Sequence, residues 1–308
     1  MTTRRQFLTT TGSTLAAGAL HAAAAEEKQA PLRFGLMADC QYMDAEPRGN
    51  KFYRESPRKL GEAIETMNRS RVEFSFHLGD WIDRDFASFD VLDPIAARHE
   101  SKLYHALGNH DFSVARELKE KVPARLGMEK NYYSFNHGGC RFIVIDTTEL
   151  SLYSSLPPNK MFLAAKVELE MITAPGGPAE HADQRIRYSS RPADGQIAWI
   201  ENELAATEKA GEFAIILGHH PVLPDNALSL WRPALFETLF QKHQCAKAYI
   251  SGHNHSGAYV ESNGFHYLTL DGILPSELEN AYAIAELYSD RLEIKGTGRQ
   301  PSHSLIFR

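Results

Sequence analysis

The 308-residue sequence lacks three features, and each absence excludes a class of protein. It contains only three cysteines, Cys40, Cys140 and Cys245, too few for a framework of disulfide bonds. It has no run of about 18 or more consecutive apolar residues, so we expect no ordinary membrane-spanning helix. It carries 33 Lys and Arg against 39 Asp and Glu, a net charge of −6. This acidic balance argues against a basic face that binds nucleic acid.

The rest of the composition is that of an ordinary globular protein. Hydrophobic residues make up 43% of the chain and charged residues 23%, which excludes disordered, collagen-like and coiled-coil proteins. A chain of this length buries a substantial core, in one large domain or two smaller ones. The 14 histidines are more informative, because several of them cluster beside Gly, Asp and Asn.

The first 25 residues resemble an export signal. Arg4 and Arg5 precede a weakly apolar stretch, residues 8–20, and four alanines, residues 22–25, precede Glu26. Paired arginines, a modest apolar region and small residues before a charged start are typical of a twin-arginine signal peptide. We therefore expect the twin-arginine export machinery to deliver the folded protein to the periplasm or the cell exterior, with no stable membrane anchor after cleavage. The alternative is a frayed N-terminal helix.

The remainder of the chain alternates short apolar runs with helical patterns, which predicts an α/β fold. Strands are predicted at 32–38, 74–78, 103–107, 132–136, 140–146, 213–217, 248–251, 258–261, 265–270, 281–288 and 291–296. Helices are predicted at 56–67, 93–100, 113–126, 196–209 and 233–243. Prolines, glycines and polar residues at about 152–194 indicate a loop-rich insertion over one face. No repeat or linker divides residues 31–308, so a single domain is expected.

Five of the predicted strands end in the same way. The apolar run stops, and a residue type that binds metals follows directly or after a glycine, at Asp39, Asp80, Asn109, His219 and His253. Two more such residues, Gln41 and His255, lie two positions after Asp39 and His253. Because loops at the carboxyl ends of strands in α/β proteins converge on one crevice, we expect these seven side chains to meet.

Seven donors are too many for one tetrahedral ion. Four of them offer oxygen and three offer nitrogen, which suits two five- or six-coordinate cations that share a bridging carboxylate. Two cations ~3.5–4 Å apart stabilise an in-line displacement at phosphorus, and a water between them becomes a hydroxide that attacks near neutral pH. The pattern therefore predicts a hydrolase that acts on phosphate esters or anhydrides.

The five blocks also resemble, in order, the signature of the calcineurin-like metallophosphoesterases. The matching blocks are Asp39-Cys40-Gln41, Gly79-Asp80, Gly108-Asn109-His110-Asp111, Gly218-His219 and Gly252-His253-Asn254-His255. The resemblance extends from Leu32 to about Leu270. It implies one catalytic domain folded as a sandwich of two mixed β-sheets flanked by α-helices, in α-β-β-α layers.

One departure points to a subgroup. Most members of the superfamily carry Asp-x-His in the first block, whereas Asp39-x-Gln41 resembles the manganese-dependent ADP-ribose/CDP-alcohol diphosphatases. The block Gly79-Asp80-Trp81-Ile82-Asp83 matches that subgroup as well. The implied substrates are nucleoside diphosphate compounds such as ADP-ribose or CDP-alcohols. An amide oxygen is also a harder donor than imidazole, which favours Mn²⁺ or Mg²⁺ over Zn²⁺ at the first cation, with Fe, Zn and Mg as alternatives to manganese in the centre.

The resemblance implies a role for each residue. The first cation would be held by Asp39, Gln41 and His255, and the second by Asn109, His219 and His253, with Asp80 as the bridge. His110 would lie at the substrate oxygens and stabilise developing charge or protonate the leaving group. Asp111 would orient or support that catalytic loop.

Several readings stay open at this point. The insertion would set the substrate, so another exported phosphomonoesterase or phosphodiesterase of the same superfamily is the first alternative. A metal-stabilised binding protein without turnover is the second, although His110 and the full donor set argue against it. Among the neighbours of the motifs, His220 is expected either to support a metal ligand or to face solvent. Cys40 is expected to be a core residue. Trp81 is read as lining the pocket or the core, and Asp83 as a family match or a cap.

Overall fold

A computed structural model describes residues 30–308, so the expected signal segment, residues 1–25, lies outside the described residues. Within the described part, Pro31–Arg308 form one compact unit. Its strands are Leu32–Met37 (β1), Phe74–Leu78 (β2), Lys102–Ala106 (β3), Tyr133–His137 (β4), Cys140–Val144 (β5), Phe213–Leu217 (β6), Ala246–Ser251 (β7), Ser256–Ser262 (β8), Phe265–Asp271 (β9), Ala281–Leu287 (β10), Arg291–Gly298 (β11) and His303–Ile306 (β12).

The α-helices of the described part lie between these strands. They are Ser56–Arg69 (α1), Ser88–Ala96 (α2), Val122–Arg125 (α3), Lys160–Thr173 (α4), Asp194–Ala210 (α5) and Pro233–Gln241 (α6). The longest, α5, ends where Gly211 adopts a left-handed conformation with φ of 69°, a common way to terminate a helix. No helix among residues 30–308 combines the length and apolarity needed to cross a bilayer.

The strands form two six-stranded mixed sheets. The first has the order β12-β11-β10-β1-β2-β3, and the second has the order β4-β5-β6-β7-β9-β8. In the first sheet β1, β2 and β3 run parallel. In the second sheet β5, β6, β7 and β9 run parallel, with antiparallel strands at both edges. Parallel neighbours bring their carboxyl ends to the same edge of each sheet, as the strand-end motifs predict.

The main core lies between the two sheets. Phe34 of β1 and Phe142 of β5 meet there with ring centroids 5.3 Å apart. Because side chains alternate along a strand, other positions point outward: Met37 of β1 packs with α1 residues, and Ile143 of β5 packs with Ile200 of α5. Helices thus cover the outer face of each sheet. The expected α-β-β-α sandwich is confirmed.

Two helix predictions are wrong in extent. The helix predicted at 93–100 is α2, which begins at Ser88, because the buried Phe89 and Leu92 supply its apolar face before Pro94. The helix predicted at 113–126 is broken into a 3₁₀ segment, Arg116–Lys121, and the short α3. Pro123 lacks the N–H that one continuous helix requires at that position.

The segment predicted as a loop-rich insertion contains a 14-residue helix, α4. The Asn159 side chain starts it by accepting a hydrogen bond from Met161 N at 2.8 Å. The helix buries Ala165, Leu169 and Ile172, and its prolines and glycines lie outside it. Sequence periodicity missed α4 because apolar residues also occupy its exposed face, which hides the alternation of a surface helix. These exposed residues are Leu163, Val167 and Met171. The four-residue edge strand β12 is absent from the strand predictions as well.

Candidate metal centre

The loops that follow β1, β2, β3, β6 and β7 meet at one place. Asp39 N donates to Gly79 O at 3.1 Å, which joins the loops after β1 and β2. Gly252 N donates to His219 O at 2.9 Å, which joins the loops after β6 and β7. All seven side chains that the sequence predicts as metal ligands lie in this cluster, and all except His255 are buried.

Four of the seven predicted ligands hold an unusual backbone conformation. Asp39, Gln41, Asp80 and His253 have φ of 57°, 42°, 58° and 69°. A positive φ is uncommon outside glycine, and each such residue costs about 1–3 kcal/mol in local strain. Backbone strain of this kind is concentrated at functional sites, where the surrounding structure holds the strained residues in place.

Two glycines make room for the cluster. Gly79 has φ of 88°, and a Cβ added there would overlap the His219 ring. A Cβ added at Gly108 would overlap the Asp80 backbone and carboxylate. The glycines in these motifs therefore allow the loops to approach one another closely.

Asp80 lies at the centre of the donor cluster. Its Oδ1 accepts a hydrogen bond from His110 N at 2.7 Å. Its Oδ2 lies 2.7 Å from Gln41 Nε2 and 3.3 Å from His219 Nε2. Asp80 thus contacts one member of each predicted cation group, the position that a bridging carboxylate needs.

The other donors fall into the two predicted groups. On one side, His255 Nε2 lies 3.0 Å from Gln41 Nε2 and 3.5 Å from Asp39 Oδ1. On the other side, His219 Nε2 lies 3.2 Å from both Asn109 Oδ1 and His253 Nδ1.

The tautomer of His219 is set by its other ring nitrogen. His219 Nδ1 donates to Leu78 O at 2.8 Å, so Nε2 is the ring nitrogen that would bind a cation.

These contacts gather carboxylate, imidazole and amide groups in a largely buried site. Burial raises the pKa of Asp39 to about 7. Burial opposes protonation of His219, but the Asp80 carboxylate prevails and raises the pKa of His219 to about 9. His253 Nε2 is buried without a hydrogen-bond partner among the described residues. Asp39, Asp80 and His219 offer ligand atoms within 4.8 Å of one another, so the residues fit a divalent metal centre.

His110 lies beside the donor cluster and is held by Asp83. Its Nδ1 is 2.8 Å from Asp83 Oδ1, and Asp83 is fully buried while the His110 side chain is 21% exposed. Burial lowers the pKa of His110, but Asp80 and the Asp83 hydrogen bond together raise it. With Nδ1 engaged, Nε2 is the nitrogen left for a substrate. The family match of Asp83 was the only signal for this contact in the sequence.

Asp111 supports the loops rather than facing the donors. It is fully buried, and its two oxygens accept hydrogen bonds from backbone N–H groups at 2.7–3.2 Å. The donors are the amides of Gly108, Asp80, Trp81 and Ile82. Asp111 therefore joins the loops after β2 and β3.

His220 is a support for the cluster. It has a ring nitrogen near those of His219 and His253, within 4.8 Å. Both of its nitrogens are nevertheless engaged, Nδ1 with Thr147 Oγ1 at 2.8 Å and Nε2 with Tyr188 O at 3.0 Å. Burial lowers the pKa of His220 to about 3, so the ring is neutral and packs 4.4 Å from the His253 ring.

The remaining neighbours of the motifs are core residues. Cys40 and Trp81 are buried with the residues of α1 and α2.

Lys51 was not singled out in the sequence, yet its Nζ donates to Gln41 Oε1 at 3.2 Å. No spacing rule marks it, because a polar loop and a tertiary turn bring it to the site.

Comparison with known proteins agrees with this geometry. The chain is 26% identical over 323 residues to a Xenopus tropicalis protein named manganese-dependent ADP-ribose/CDP-alcohol diphosphatase, covering 89% of this chain and 94% of that protein. An Arabidopsis thaliana protein of the same name is 26% identical over 303 residues, covering 89% and 97%. A solved dimetal phosphatase from Danio rerio has a TM-score of 0.80 at 25% identity, covering 90% of this chain and all of that one.

The sequence profile of a whole family also matches. The profile described as calcineurin-like phosphoesterase covers residues 32–257, which include all seven donors, His110 and Asp83. The match covers most of the chain, and the chain belongs to the calcineurin-like phosphoesterase family.

Proposed function

We propose that this protein hydrolyses the phosphoanhydride of nucleoside diphosphate compounds such as ADP-ribose or CDP-alcohols. The observation that carries the proposal is the convergence of seven donors, with Gln41 beside Asp80 and His255. Relatives that carry the Asp-x-Gln subgroup's name match along almost the whole of this chain. A non-catalytic binding protein is disfavoured, because His110 is present, oriented and accessible.

Asp39, Gln41, Asp80 and His255 would hold one cation, and Asn109, His219 and His253 would hold the other with Asp80 between. When bound, the cations supply positive charge to the phosphate oxygens and lower the pKa of water, so that a nucleophile forms near neutral pH. Manganese is the favoured metal, since Gln41 replaces an imidazole by an amide oxygen.

His110 supplies the proton chemistry of this chain. Asp83 fixes the ring through Nδ1, which leaves Nε2 to hold a proton beside the leaving oxygen. Asp111 keeps the loop of His110 in register with Asp80 through backbone amides. The reaction of a nucleoside diphosphate compound would release two phosphate monoesters.

We propose that residues 1–25 direct the protein through the twin-arginine pathway to the periplasm or the cell exterior. The paired Arg4 and Arg5, the weakly apolar stretch and the alanines support this.

Assay of the chain without residues 1–25 tests the substrate. With Mn²⁺, it is expected to cleave ADP-ribose and CDP-alcohols faster than it does with Mg²⁺, Zn²⁺ or Fe²⁺, measured by release of phosphate monoesters. Activity on bis(4-nitrophenyl) phosphate alone would contradict the substrate and favour another phosphoesterase of the superfamily. Inertness on every phosphate compound with every metal would contradict enzymatic function.

Replacement of Asp83 tests the role of His110. Asp83→Asn keeps the shape but removes the charge that holds the imidazole, so kcat is expected to fall about 10- to 100-fold with bound metal unchanged. Asp290→Asn is the matched control, because Asp290 is 68% exposed and belongs to a surface ion pair. An unchanged kcat in Asp83→Asn would show that the contact does not position His110.

A reporter fusion tests the signal. Residues 1–30 fused to a reporter are expected to export it, and Arg4→Lys with Arg5→Lys is expected to retain it in the cytoplasm, since the paired arginines are what the pathway recognises. Cell fractionation is the readout. Equal export by the double variant would assign the segment to another route.

A further inference from the structure

A lysine ammonium stands at the edge of the donor cluster. Lys51 Nζ donates to Gln41 Oε1 at 3.2 Å, and Lys51 is half-buried whereas Gln41 is buried. The ammonium therefore contacts the side-chain amide of a predicted ligand.

The backbone of Lys51 is held from two sides. Its N–H and C=O pair with those of Arg48 at 3.1 Å in a tight turn. Lys51 also forms an antiparallel β-bridge with Pro275, and the N–H of the following residue, Phe52, donates to Leu274 O at 3.4 Å.

The segment on which Lys51 rests is itself anchored. Lys59 of α1 is fully buried, and its Nζ donates to Leu274 O at 3.3 Å and to Ser276 O at 2.9 Å. The backbone of Lys51 is thus held in place before any substrate arrives, which lowers the entropy lost on binding.

Lys51 has no acidic partner among residues 30–308. Arg54, on the same loop, is paired with Asp44 at 2.6 Å and with Glu46, whereas the only polar partner of Lys51 Nζ in the described part is a neutral amide. Once Gln41 turns its oxygen to a cation, an ammonium beside that cation is repelled unless an anion lies between them. A substrate with one phosphate has its charge neutralised by the centre itself, but a diphosphate brings a second anionic group.

We propose that Lys51 forms a subsite for the second phosphate of a diphosphate substrate, the one that is not attacked, and so gives this centre its preference for diphosphates over single-phosphate esters. The inference rests on the proposed function and names a residue that selects its substrate class. An ammonium–phosphate contact is charge-assisted and favours an anion over a neutral group.

Steady-state kinetics of three variants test the subsite: Lys51→Met, Lys51→Arg and the control Lys166→Met. Lys166 is 63% exposed on α4. Lys51→Met is expected to lower kcat/KM for ADP-ribose about 10- to 100-fold, mainly through KM, with little change for bis(4-nitrophenyl) phosphate. Lys51→Arg is expected to restore part of the loss. An equal loss on both substrates, or a loss of bound Mn²⁺, would overturn the inference.

Calorimetry separates this inference from the proposed function. The probes are adenosine 5′-(α,β-methylene)diphosphate and AMP, titrated into the Mn²⁺-loaded protein. The wild type is expected to bind the diphosphate more tightly than AMP, and Lys51→Met is expected to abolish that difference. If ADP-ribose is not hydrolysed yet the difference depends on Lys51, the substrate proposal fails and the subsite stands. The subsite is overturned if the wild type shows no preference for the diphosphate over AMP. It is also overturned if Lys51→Met keeps the same preference as the wild type.

Discussion

Two buried carboxylates and several imidazoles face one another at the carboxyl ends of the strands. Asp39 and Asp80 are both fully buried carboxylates, and His219 Nε2 lies 3.3 Å from Asp80 Oδ2. Burying carboxylates without compensation is costly, and doing so beside each other is more costly still. Positive charge among these groups offsets that cost, so cation binding is expected to stabilise the loops that carry them.

The rest of the fold keeps this arrangement from relaxing. Parallel pairing fixes β1 against β2 and β6 against β7, so the four loops with strained or crowded residues have no freedom to separate. Asp111 joins two of the loops through backbone amides. Gly79 and Gly108 allow an approach that no side chain would permit. A rigid sandwich with irregular loops at one edge thus presents reactive groups in a fixed geometry.

The donors could be predicted from the sequence because five of them follow apolar strands directly or after a glycine, the other two lie two positions later, and strand ends of this kind share an edge. The α-β-β-α layers were implied by the resemblance to the family. Asp83 carried only a weak family signal, and Lys51 carried none, since its place depends on the turn at Arg48 and on the segment that Lys59 anchors. Helix α4 was missed because its exposed apolar face conceals the helical period. The start of α2 was missed because the buried Phe89 and Leu92 precede the predicted range, and the break before α3 was missed because Pro123 lacks the N–H of a continuous helix.

The central claim is that seven donors hold two divalent cations bridged by Asp80. Anomalous scattering from Mn²⁺-loaded crystals tests it most directly. The account predicts two peaks, one beside Asp39, Gln41 and His255 and the other beside Asn109, His219 and His253, with Asp80 in contact with both. A single peak, or a cation bound by His220 in place of these residues, would contradict it.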